Sequence, residues 1–407
     1  MKRLWDKGLP LDEKILKYTA GEDHILDHRL ISYDIKASIA HVEMLANCKL
    51  LEVDDSKIII EGLAALLKDY QDQKWSIHLE DEDVHTAIEK NLIEKIGEVG
   101  GKIHLGRSRN DQVLTALRLY YLDAIDEIII SAEKLCEEIR VLDGRQGSIK
   151  LPGTTHMQHA MPSSVSLWCG AYIEAFEDNI EGMIQAKRRS NKNPLGSAAG
   201  YGTPGLPIDR TFTTNRLGFE VTHEPVTAPQ LSRGKAESHL LFELSLLMQD
   251  LGRLSSDLLL YYTQEYRYID LAVEVTTGSS IMPQKRNPDV LELIRASSAT
   301  VLSCLNESMM VMSKLPSGFQ RDLQKIKAPL FKAIDNTIES VDIMAYVVST
   351  MKFLPENIKL DDDLFAAEEA YKLVLNKGLT FRKAYQQIAI KYKKKSYSES
   401  FSYSLDS

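Results

Sequence analysis

The sequence predicts an all-α protein, a bundle of long helices arranged in three helical domains. Two observations carry this. Apolar residues recur in steps of three and four along five stretches, each longer than the roughly 8–20 residues of an ordinary globular helix. Strand signals are weak, and internal repeats are absent.

In chain order, the opening MKRLWDKGLPLDEK is charged and lacks an apolar core, so a signal peptide is not expected. A first helical domain is expected over residues 1–106. Within it Ile58, Ile59 and Ile60 form a short β-branched run whose context suits a helix as well as a strand. The central bundle is expected over 107–360. Its first helix shows in residues 111–142, where Val113, Leu117, Tyr121, Ala124, Ile128, Ala132, Leu135, Ile139 and Leu142 share one face. Similar patterns run through 163–189, 236–266, 288–314 and 330–351. Leu240, Leu241, Phe242, Leu244, Leu246, Leu247 and Met248 nearly circle their helix, so several neighbours must bury it, and subunit association is expected to cover the surplus. A short helical piece is expected over 361–407, ending in the polar, Ser-rich KKKSYSESFSYSLDS, which reads as loosely ordered.

Composition narrows the class. The chain has 407 residues and a formal net charge of −9, which disfavours nucleic acid and anionic membranes as partners. No apolar run approaches the roughly 18 residues of a membrane span. Cys48, Cys136, Cys169 and Cys304 are far apart and read as reduced thiols of a cytoplasmic protein.

Three breaks between helices share an unusual composition: GGKIHLGRSRNDQV at 100–113, PGTTHMQHAMPSSV at 152–165 and TTGSSIMPQKRNPDV at 276–290. In the third, Asn287 is a candidate N-cap with Pro288 at the first helical position and Asp289 in the first turn, and a helix start favours anions. Lys285 adds a point charge, and Gly278 gives the segment freedom to move. Any one such cluster is most often only a cap, and His156 with His159 could be ordinary loop histidines. HxxH without a nearby carboxylate or cysteine cluster does not make a metal site. The coincidence of three cationic, hydroxyl-bearing breaks on an acidic chain points instead to a pocket for a small carboxylate.

These segments also carry a resemblance. GSSIMPQKRNPD is similar to the GSSxMPxKxNP loop of the fumarase/aspartase superfamily. EDVHTAIEKNLIEKIG followed by GKIHLGRSRNDQVLTALRLY resembles the argininosuccinate lyase family within it, as do PGTTHMQHAMP and PIDRTFTTNRLGF. The likeness covers roughly residues 80–390. It implies an all-α homotetramer whose central helices form one core, with each active site built from three chains. It implies reversible elimination of arginine from argininosuccinate, in arginine biosynthesis, with no cofactor and no metal. By resemblance Ser279 is the general base, Lys285 and Asn287 hold the reacting carboxylate, and His156 serves proton transfer to the leaving nitrogen. Arg109, Asn110, Thr155, Gln324 and Lys327 become substrate contacts, and Asp83 and His85 line or support the same site.

The chain departs from the family at several points. Phe319 stands where the family usually has Tyr, His159 and Met161 replace Arg and Gln, and YTAGEDHILDHRL offers no clear counterpart of the N-terminal substrate serine. The chain runs only a short way past FRKAYQQIA, so an abbreviated last domain is expected. Rival readings are a superfamily lyase acting on adenylosuccinate or aspartate, against which GRSRNDQV argues, and a structural protein on the same fold, as in the lens protein δ-crystallin.

Overall fold

A computed structural model describes residues 12–400, with side chains as far as Tyr392. The main helices are α1 (Glu13–Ala20), α2 (Ile31–Asn47), α3 (Val53–Gln71), α4 (Val84–Ile96), α5 (Arg109–Gln146), α6 (Val165–Ser190), α7 (Arg210–Leu217), α8 (Lys235–Tyr262), α9 (Asp289–Met312), α10 (Lys327–Thr350), α11 (Ala366–Lys377) and α12 (Phe381–Ser400). All five long periodic stretches are helices, within a few residues of the ends read from the sequence. Ile58, Ile59 and Ile60 lie inside α3. Among the described residues strand is confined to three two-stranded pairings, of which the hairpin of β1 (Lys150–Thr155) and β2 (Gln158–Ser164) is the largest. The opening segment to residue 11 and the last seven residues of the Ser-rich tail lie outside the described residues, whereas α12 carries that tail as helix to Ser400.

The chain divides into two compact units, each made of three separate stretches. The first runs to Ser131 and adds Asn179–Gln249 and Ser297–Ser340; the second comprises Ala132–Asp178, Asp250–Ala296 and the residues from Val341 on. Every division point falls inside one of the five long helices.

In the first unit α2, α3 and α4 pack closely because α3 presents Gly62 to α4. A Cβ there would lie 2.9 Å from Leu92 Cδ1 and 3.1 Å from Ile96 Cγ2. Ala37 and Ala40 of α2 join Leu119, Leu195, Leu217 and Phe219 in a buried cluster. Small residues on one side and large ones on the other give the interlocking that dense interiors need.

The second unit has an aromatic core. Trp168 lies edge-on to Tyr172 and Phe353, with ring centroids 5.1 and 5.7 Å apart. The indole N–H of Trp168 and the hydroxyl of Tyr172 both donate to Asp257 Oδ2, at 3.0 and 2.7 Å, so the polar ends of these half-buried rings are satisfied.

Candidate active site

The start of α5 is fixed by a buried carboxylate. Asp111 Oδ1 accepts the Ser108 N–H at 3.0 Å, and Oδ2 accepts the N–H groups of Gly196 and Ala198 at 2.9 Å each. Burial raises the Asp111 pKa against these donors. The loop after Asn193 is thereby tied to the turn that presents Arg109 and Asn110.

Those two residues line a pocket in the first unit with Asp83, His85, Gln324 and Lys327, so six of the predicted site residues meet there. Arg109 reaches Glu82 and Asp83 at 3.5 Å each and also donates to Thr86 Oγ1. Asp83 caps α4 by accepting the Thr86 N–H at 2.9 Å. Burial works against its charge, but His85, Arg109 and that N–H hold its pKa below the usual carboxylate range. His85 Nδ1 bonds the fully buried Asp34, which also accepts from Ser38 at 3.1 Å. Burial disfavours the imidazolium, yet Asp34 outweighs it and raises the His85 pKa. Gln324 donates to the carbonyls of Thr19 and Ala20 at 3.1 Å, pinning the end of α1.

The charged residues of this pocket that sequence reasoning missed include Asp23, Asp27, Arg233 and Glu237. Lys327 Nζ sits 2.5 Å from Asp27 Oδ1 and 3.0 Å from Asp23 Oδ1. Burial opposes the ammonium, but the two carboxylates raise its pKa. Burial, resisted by Lys327 and reinforced by Asp27, pushes Asp23 up to about 6. Arg233 is 8% exposed, and its guanidinium lies 5.0 Å from the centre of the Phe319 ring. Its Nη1 has no hydrogen-bond partner, and it makes no ion pair among the described residues. The segment GEDHILDHRL, in which no substrate serine could be placed, thus contributes two carboxylates.

The remaining predicted residues belong to the second unit. PGTTHMQHAMPSSV is not a plain break: it forms most of the β1–β2 hairpin, with Thr155 paired to Gln158 and a bulge at Gly153. His156 and Met157 are the two turn residues, with φ of 53° and 62°, the left-handed pair that a tight hairpin turn demands. Thr155, His156 and Met157 are exposed at its tip. His159 Nδ1 lies 3.1 Å from Asp361 Oδ2, which anchors the hairpin's side.

The third break is a loop closed at its base. Thr277 and Asn287 exchange main-chain hydrogen bonds of 3.0 and 2.8 Å, forming an antiparallel bridge. α9 begins at Asp289, one residue later than expected. The Asn287 side chain donates to the Gly278 carbonyl at 3.3 Å, across the loop, and does not cap the helix. Inside the loop Ser279 Oγ accepts the N–H groups of Ile281 at 3.3 Å and Met282 at 3.1 Å. Arg286 is bound to the Leu271 carbonyl and lies 3.6 Å from Asp270, whereas Lys285 is exposed and makes no ion pair among the described residues. The loop therefore offers one hydroxyl held by two donors and one ammonium without a counter-charge. Among the described residues no cluster of His, Cys, Asp and Glu is fit to hold a metal ion.

Known proteins resemble this chain in sequence and in fold. The profile of the Lyase family matches residues 16–303. The chain is 41% identical to argininosuccinate lyase of Thermotoga neapolitana, over 96% of this chain and 98% of that one. It is 39% identical to argininosuccinate lyase of Sorangium cellulosum, over 95% of this chain and 90% of the other. Among solved structures it resembles an EDDS lyase variant with bound fumarate, with a TM-score of 0.82 and 25% identity over 96% of this chain and 78% of that one. It shares its fold with a class II fumarase from Schistosoma mansoni, with a TM-score of 0.76 at 18% identity over 95% and 91% of the two chains.

Proposed function

Because the chain belongs to the argininosuccinate lyase family of carbon–nitrogen lyases, we propose that it eliminates L-arginine from argininosuccinate, releasing fumarate, and does so reversibly. A base must take a weakly acidic proton from the carbon beside a carboxylate, and the resulting carbanion spreads its charge into that carboxylate. Ser279 is the base. The observation that carries this is its Oγ accepting two main-chain N–H groups, since donors to an oxygen favour its anionic form. The uncompensated Lys285 ammonium and the Asn287 amide hold the carboxylate as it becomes a dianion, which stabilises the transition state more than the ground state. His156, presented at the hairpin tip with Thr155, serves proton transfer to the departing guanidino nitrogen. Arg109, Asn110, Gln324 and Lys327 contact the substrate from the pocket of the first unit.

The working assembly in this reading is a homotetramer with sites shared between chains, cored by the long helices of the middle of three sequence domains, 1–106, 107–360 and 361–407. Support comes from apolar side chains left in the open on those helices: Phe242 and Leu246 on α8, and Leu293, Met309 and Met310 on α9, the last 75% exposed. The cytoplasm is its compartment, in keeping with four free cysteines. No helix among the described residues is long and apolar enough to cross a membrane.

The test is direct: add argininosuccinate to the pure protein and follow fumarate absorbance, with adenylosuccinate and aspartate run beside it. Turnover of argininosuccinate alone is expected. Preference for either competitor, or no turnover at all, overturns the reading.

A further inference from the structure

We propose that Arg233 and Asp23 form a receptor for the α-amino-acid end of the arginyl portion of the substrate, with Arg233 taking the α-carboxylate and Asp23 the α-ammonium. This assignment rests on the reading above of which substrate the pocket accepts.

The pocket holds two buried cations. Lys327 is paired with Asp27 and Asp23, whereas Arg233 makes no ion pair among the described residues, feels Glu237 and Asp23 only as more distant charges, and keeps an Nη1 without a partner. A buried guanidinium in that state is costly to the empty protein, and a ligand carboxylate would satisfy it. Glu237, one turn along α8, is committed elsewhere, its Oε2 accepting the Gly234 N–H at 2.7 Å. The guanidinium carbon lies 5.0 Å from the centre of the Phe319 ring, which offers its N–H groups no oxygen to bond. Gly234, at φ of 82°, holds the adjoining backbone where a Cβ would come within 2.8 Å of Met312 Sδ, so the arginine is set in place by tight packing.

Asp23 is the complementary half. Asp27 is wholly buried, and its second oxygen takes the Val84 N–H at 3.2 Å, so it is the structural partner of Lys327. The Asp23 side chain is 15% exposed and shares an ammonium already claimed. Two carboxylates on one lysine leave a negative charge in excess on the side of the pocket that a ligand can reach. A bare guanidinium would answer Asp23 and leave Arg233 unmatched, and a simple carboxylic acid would do the reverse. A carbon bearing both an ammonium and a carboxylate answers both.

Calorimetry on the full-length protein tests this with three ligands: L-arginine, agmatine, which lacks the carboxylate, and 5-guanidinopentanoate, which lacks the amine. Arg233→Met is expected to weaken L-arginine binding about tenfold or more while leaving agmatine unchanged. Asp23→Asn is expected to weaken L-arginine comparably while leaving 5-guanidinopentanoate unchanged. Arg233→Lys, which keeps the charge, should recover part of the loss, and melting curves verify that each variant is folded. Equal losses for all three ligands in a folded variant, unaltered L-arginine binding in both variants, or no L-arginine binding by the wild type would overturn the proposal. Because binding is read without turnover, a protein that binds L-arginine with this selectivity but does not cleave argininosuccinate would count against the proposed function and not against this pair.

Discussion

Ser279 occupies a turn in which removing one oxygen leaves two main-chain donors without an acceptor. Ser279→Ala should lower kcat by about 10²–10⁴, the usual worth of a positioned base, with L-arginine binding and Tm little changed. Ser280→Ala should stay near wild type, and Ser279→Ala with near-normal kcat would remove Ser279 from the role of base. Lys285→Ala should raise KM and lower kcat by about 10²–10³, because its charge meets the carboxylate before and during reaction. The buried His85–Asp34 pair makes a prediction about pH. The His85 pKa is raised above 6.5, so its stabilisation is complete below 6.5 and fades as pH rises through the folded value; the Asp34 pKa is lowered below 3.8, so its share is complete above 3.8 and fades as pH falls through the folded value. Tm should therefore decline on alkaline titration, and His85→Phe should flatten that limb. Ser279, Lys285 and Arg109 could be picked out as candidates because they sit in motifs. Asp23, Asp27 and Arg233 could not: each is one charged residue in an ordinary amphipathic segment, and what marks it is a missing or shared partner, which appears only when the chain has folded.

Among the elements, the long helices were legible because a 3.6-residue period sustained over many turns is hard to mimic by chance. The hairpin was not. Pro152, Gly153 and Pro162 are poor strand formers, and His156-Met157 stands where Asn-Gly would announce the turn. Two side-chain-bearing residues in the left-handed region are a cost that serves to present His156 at an exposed tip. Met157→Gly should relieve one of them and stabilise the free protein by on the order of 1 kcal/mol, seen as a higher Tm. A lower Tm would show that the Met157 side chain contributes more by its contacts than its backbone loses.

For the whole molecule, if the chain assembles as proposed, Phe242→Asp combined with Met310→Asp should dissociate it, with sedimentation shifting to smaller species and activity falling alongside. A fully active wild-type monomer at micromolar concentration would sink the tetramer. If sites are shared, mixing inactive His156→Asn and Ser279→Ala proteins should restore some turnover after subunit exchange, and none if every site is built by one chain. The bare apolar faces could be read from the sequence only as a surplus, which is clearest on α8.

The Lys327–Asp27 contact joins residues 300 positions apart. On the ribosome, at roughly 5–20 residues per second, the carboxylates near the start of the chain wait about 15–60 s before their lysine exists. Neither compact unit can close earlier, since each needs a stretch from the last third of the chain. Nascent chains arrested before Lys327 should therefore be protease-sensitive throughout their α2–α4 segment, and resistance should appear only once the last third of the chain has emerged.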